Sequence, residues 1–165
     1  QQFAASVNGS FKVTVPAHGS QVFVATGANR CEPKKYEAEQ AWMKCYQELT
    51  GDKTANYVPK EGASNGVVVN DLGNNKDNYM EWRNVFCLED GVYNMILSYV
   101  TNEDRSVYCS VNGNTDFEIK TPGNDKNCVR TVSCQIRLKK GMNTIRLGNA
   151  DAWCPDIDKI EIARL

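Results

Sequence analysis

Apolar and polar positions alternate in short runs along this chain. Phe11–Val15, Gln21–Ala25, Tyr36–Glu39, Val67–Val69, Tyr79–Phe86, Tyr93–Val100, Ser106–Val111, Thr131–Leu138, Thr144–Leu147 and Lys159–Ile162 each carry a period of two. That period sends successive side chains to opposite faces of a strand, one toward a core and one toward water. Turn formers separate the runs: Glu89-Asp90-Gly91, Asn112-Gly113-Asn114, Pro122-Gly123-Asn124 and Lys139-Lys140-Gly141. The pattern predicts an all-β protein with sandwich or barrel architecture. Only Glu39 to Leu49 admits a helix, and it is short enough to be a loop with one helical turn.

The first run is set apart. In "NGSFKVTVPAHGSQVFVA", Phe11, Val13 and Val15 share one face, Pro16 to Gly19 turn, and Val22 and Val24 return. The stretch "GANRCEPKK" then interposes turn formers and charge near Gly27 to Lys35, which predicts a boundary between a terminal hairpin (1–28) and a sandwich (29–165). Two strands alone are marginal in water, so the hairpin needs a partner sheet.

Composition narrows the chemistry. Nineteen Lys and Arg against twenty Asp and Glu leave a net charge of −1, so no strong field draws nucleic acid or an anionic membrane. No apolar run approaches the length of a membrane span. The opening Gln1-Gln2, without Met, reads as a processed product or a piece of a longer chain. Seven cysteines without a CxxC pair argue against a zinc ribbon and predict mostly buried thiols with at most one bridge. His18, the only histidine, lies in the hairpin turn, away from any histidine-based catalytic triad in the sandwich.

Several phrases carry a resemblance. The "VTVPAHG" phrase and the apolar strand after it resemble the end of the antiparallel C-terminal domain of family 27 glycoside hydrolases, the α-galactosidases. "YEAEQA", "GASNGVVVNDLG", "NYMEWRNV", "DGVYNMILSYV", "RSVYCSVNG" and "LKKGMNTIRLGNADAWCPDIDKIEI", in that order from Tyr36 to Ile162, resemble a family 35 carbohydrate-binding module. That resemblance implies a jelly-roll β-sandwich, to which the N-terminal hairpin is an appendage, with a structural Ca²⁺, a sugar site in loops at one end, and an extracytoplasmic setting. The chain departs from the pattern at Lys126, where many members carry a loop Trp, and at 42–61, which reads as an insertion.

Candidate sites follow. Glu37 and Glu39 stand two apart on a predicted strand, and Asp158 opens the last strand in register with Ile160 and Ile162. By residue type alone these are a solvated strand face and a turn former; the resemblance makes them ligands for Ca²⁺, a hard cation that takes six to eight oxygens. Trp153 lies in the loop before the last strand, where a large ring either packs under the sandwich edge or offers its face to the C–H face of a sugar. Asp156, Asn149 and Arg105 are the polar groups expected to bond the hydroxyls. Tyr79 reads as a surface strand residue sharing a face with Glu81, while Trp42 has two open readings, core cover or second platform.

Three functions are compatible with these residues. The leading one is non-catalytic carbohydrate binding, holding an α-galactosidase-type parent enzyme near a galactose-containing, mannan or uronic-acid polysaccharide by raising its effective concentration. A second is a sandwich that only packs against that enzyme. A glycoside hydrolase in its own right would need two carboxylates flanking a cleft, and the best acidic cluster is taken by the expected calcium site.

Overall fold

The computed structural model of the chain describes Thr14 and residues 32–44 and 53–165. The expected hairpin 1–28, His18, Cys31 and Cys45 lie outside the described residues. The rest is a β-sandwich of jelly-roll type built from two antiparallel sheets. Its strands are β1 (Lys35–Glu37), β2 (Trp42–Met43), β3 (Asn56–Pro59), β4 (Val67–Asn70), β5 (Tyr79–Cys87), β6 (Gly91–Thr101), β7 (Arg105–Val111), β8 (Phe117–Thr121), β9 (Asp125–Leu138), β10 (Gly141–Gly148) and β11 (Asp156–Arg164). One sheet runs β3-β4-β11-β6-β9, with β1 also paired to β11; the other runs β2-β5-β10-β7-β8.

The alternation in the sequence drives this architecture. Along β5, Met80, Trp82, Val85 and Cys87 point inward; along β10, Asn143, Ile145 and Leu147 do so. They meet Tyr93, Met95, Leu97, Ile157 and Ile160 from the opposite sheet in one continuous core. Two polar bonds tie the layers across that core. The Trp82 indole N–H donates to the Glu37 carbonyl at 2.8 Å, and the Tyr36 hydroxyl accepts the Phe86 N–H at 3.0 Å. Among the described cysteines, Cys87, Cys109 and Cys154 are buried, Cys134 is half-buried, Cys128 is exposed, and none is bridged.

All four predicted turns fall between strands. The turn at Asn112-Gly113, with φ of 54° and 72°, leads from β7 toward β8, and the other three carry the chain from one sheet to the other. Three strands are additional to the sequence reading. β8 buries only Ile119 and Thr121, and β3 is largely exposed and ends in Pro59, as edge strands commonly do. The third is β2: in the described part of the stretch expected to hold a helix, the chain makes a 3-10 turn at Ala38–Gln40 and re-enters a sheet at Trp42, while residues 45–49 lie outside the described residues. The 42–61 segment therefore supplies an edge strand to each sheet, β2 to one and β3 to the other.

Among the described residues, every strand of the sandwich lies between Lys35 and Arg164. Deleting residues 1–28 is accordingly expected to leave a cooperatively melting β-sandwich, checked by circular dichroism. An unfolded truncated chain would show that the boundary near Gly27 is misplaced.

Candidate functional site

The loop from Asn149 to Pro155 is shaped by its own polar groups. The Asn149 side-chain carbonyl accepts the N–H groups of Asp151 and Ala152 at 3.1 and 3.2 Å, and its amide donates to the Ser106 carbonyl at 3.2 Å. Asn149 is thus buried as a loop-former. On the other side the Ala152 carbonyl accepts the Asn74 N–H at 2.8 Å, the Cys154 N–H donates to the Leu72 carbonyl at 2.8 Å, and Gly73 and Trp153 form a β-bridge. Gly73 sits at φ 94°, and a Cβ there would stand 2.5 Å from the Ala152 carbonyl. Only glycine allows this approach.

The half-buried Trp153 is held at the rim of a cavity of about 800 Å³, which Arg105, Tyr108, Asn149, Glu103 and Lys120 also line. Arg105 is braced: its Nε and Nη2 donate to Glu103 at 3.0 and 2.7 Å, and its Nη1 donates to the Cys154 carbonyl at 2.8 Å. It ties the loop to β7 through the Cys154 carbonyl and lines the cavity. Asp156 is not among the lining residues; it opens β11 half-buried, and burial raises its pKa against the pull of Arg105. Of the four expected sugar contacts the fold brings Trp153, Asn149 and Arg105 together and leaves Asp156 aside. Tyr108, which sequence reasoning passed over as an ordinary strand residue, joins them; it is 40% exposed on the outer face of β7.

Glu37, Glu39 and Asp158 meet elsewhere, near the junction of β1, β11 and the turn at Ser64. Glu37 closes β1, but Glu39 belongs to the 3-10 turn, so the turn and not strand alternation brings the two carboxylates to one place. This corrects the expectation that both project from one strand. Asp158 falls at a β-bulge between Ile157 and Lys159, where the ladder to β6 slips by a residue and both Ile157 and Asp158 turn inward. The Ser64 N–H donates to Asp158 at 2.8 Å, the Ser64 hydroxyl to Glu37 at 2.8 Å and the Asn65 amide to Glu39 at 2.9 Å. The Lys35 ammonium stands 2.5 Å from the same Glu37 oxygen.

The second oxygens of Glu37 and Glu39 are buried with no hydrogen-bond donor. Burial raises the Asp158 pKa, and the charges of Glu37 and Glu39 push it further in the same direction, against the Ser64 N–H and Lys159. Orphaned carboxylate oxygens and mutually repelling buried acids fit a hard divalent cation. Among the described residues no three His, Cys, Asp or Glu side chains form a ready metal-ligand group, so these three are neighbours and not a closed cage.

Comparison with solved structures bears on the fold that carries these residues. A family 35 carbohydrate-binding module from Clostridium thermocellum superposes with a TM-score of 0.70 at 29% identity, over 78% of this chain and 97% of that one. The fold is that of a family 35 carbohydrate-binding module. The exo-β-1,3-galactanase of Phanerochaete chrysosporium, solved with galactose, matches at TM-score 0.68 and 25% identity over 86% of this chain, which spans 30% of that enzyme. A Podospora anserina GH26-CBM35 β-(1,4)-mannanase shares the fold at TM-score 0.66 and 20% identity, over 82% of this chain and 28% of its own. No protein-family model matches, and no curated protein matches significantly.

Proposed function

We propose that this chain is a non-catalytic carbohydrate-binding module whose sugar site is the Trp153 cavity. One observation carries the reading: in a fold shared with family 35 modules, a tryptophan stands at the rim of a cavity beside arginine, asparagine and tyrosine. An indole face covers the C–H face of a sugar ring, and the polar neighbours supply its hydroxyls with donors and acceptors. The galactanase and mannanase among the structural relatives support a galactose- or mannose-containing polysaccharide as ligand. Attachment to an α-galactosidase-type parent rests on the "VTVPAHG" phrase, and an extracytoplasmic location, whether secreted, periplasmic or cell-surface, on the likeness to family 35 modules. Binding of galactan or mannan on a glycan array is the expected result; a blank array across neutral and uronic-acid glycans overturns the proposal.

A second reading, a sandwich that only packs against its parent enzyme, is favoured by one fact. The Asn149 amide and Arg105 guanidinium already have internal partners. The same array distinguishes the two.

Glu37, Glu39 and Asp158 would hold Ca²⁺ through their carboxylate oxygens. The ion would supply positive charge among buried acids and link β1 to β11 through side chains. Because such binding is coupled to folding, chelator is expected to lower the melting temperature and added Ca²⁺ to restore it, the ion contributing about 3–4 kcal/mol of stability at 100 to 1,000 times its Kd. A midpoint indifferent to both, including after refolding in chelator, removes calcium from this account.

A further inference from the structure

Three adjacent strands of the second sheet place Tyr79, Gly148 and Tyr108 in one row: Gly148 of β10 is paired with Tyr79 of β5 on one side and with Tyr108 of β7 on the other. Directly paired residues share a face of the sheet. The two tyrosines therefore stand on either side of a glycine floor, their strands two spacings or about 10 Å apart. A Cβ on Gly148 would come within 3.0 Å of the Tyr79 Cβ, so the floor is bare where the wall is closest. One step along β10, Arg146 lies 4.9 Å from the Tyr79 ring centroid and pairs with Asp116 at 3.2 Å. Tyr79, Gly148, Tyr108, Arg146 and Asp116 line a second cavity of about 530 Å³.

This trough adjoins the Trp153 cavity. Tyr108, Asn149 and Asp151 line both. We propose that the trough is a second subsite, in which a neutral glycan chain anchored at Trp153 continues over Tyr108 onto the sheet between Tyr108 and Tyr79. The inference rests on the carbohydrate-binding reading and adds to it a requirement for chain length. The chemistry of the walls supports this occupant. Aromatic faces suit the C–H surfaces of sugar rings, and the Arg146–Asp116 pair, each partner about 40% exposed, offers donors and acceptors together to hydroxyls while carrying no net charge. The charged residues that line the trough are two of each sign, Arg146 and Lys76 against Asp116 and Asp151, so its walls carry no net charge to favour an anionic chain. Rigid strands, not loops, carry the row, so the subsite is formed before ligand arrives.

Calorimetric titration of β-1,3-galacto- and β-1,4-manno-oligosaccharides, each as disaccharide and hexasaccharide, tests the trough. For the sugar that binds, the hexasaccharide is expected to bind roughly tenfold more tightly than the disaccharide. Arg146→Ala and Tyr79→Ala are each expected to erase that advantage and leave disaccharide affinity unchanged. Tyr79 packs against Trp42, so Arg146→Ala serves as the test if the Tyr79 variant melts early. A hexasaccharide bound no more tightly than the disaccharide, or a length advantage that survives in both folded variants, overturns the subsite while leaving binding at Trp153 standing. If neither sugar binds at either length, the carbohydrate reading falls for these glycans and the trough falls with it.

Discussion

Trp82→Ala is expected to cost the sandwich about 3–5 kcal/mol, as for other large-to-small changes of a buried aromatic. Trp82 is 1% exposed in the middle of β5, and its indole N–H is the donor for the Glu37 carbonyl across the core. Truncation therefore opens a cavity and removes a polar tie between the sheets. Whole domains are stable by only about 5–15 kcal/mol, so the loss is a large share of the total. The midpoint should fall by roughly 10 °C or more. Trp82→Phe separates the two contributions, retaining most of the ring's burial and leaving the Glu37 carbonyl without its donor, at a cost of about 1–3 kcal/mol. Urea melts of both variants are the measurement. A loss under 1 kcal/mol for Trp82→Ala would show that the sheets are held together elsewhere.

The second large effect is on binding. Trp153→Ala is expected to abolish measurable glycan affinity and to lower stability by only about 1–2 kcal/mol, since the ring is half-buried. Gly73→Ala should reproduce the loss of binding with the tryptophan still present. The new Cβ would collide with the Ala152 carbonyl, and the residue would be strained at φ 94°, so the loop that aims Trp153 has to move. The pair of variants separates contact from positioning. A Trp153→Ala protein that unfolds early and still binds glycan would reassign the ring to edge packing.

Trp153 lines the outer cavity, while Asp158, five residues on, is 1% exposed and turned toward Glu37 and Glu39. Alternation along a regular strand would give Asp156 and Asp158 the same face. The bulge at Asp158 breaks that register, which is how Asp158 comes to be buried beside Ile157 and Asp156 comes to lie half-buried, away from the cavity.

Much of this molecule was legible in the order of its residues. The period-two runs specify strands because a strand has only two faces, and the Gly- and Asn-bearing turns specify where strands stop; together these determined an all-β fold, sandwich or barrel, and the resemblance to family 35 modules selected the sandwich. The Trp-bearing loop before the last strand was likewise visible as a candidate site, and the fold sets Trp153 in the lining of a cavity. Only the tertiary structure decided which side chains act together. Tyr79, Tyr108 and Gly148 are scattered over seventy residues of sequence and become one row because β10 is paired with both β5 and β7. Glu39 joins Glu37 through a 3-10 turn where the pattern suggested a continuing strand, and the Asn149 side-chain carbonyl is spent on its own loop. The physical reason is common to all three. Local patterning fixes which face a residue presents, whereas partners across a sheet depend on register and bulges, which long-range pairing sets.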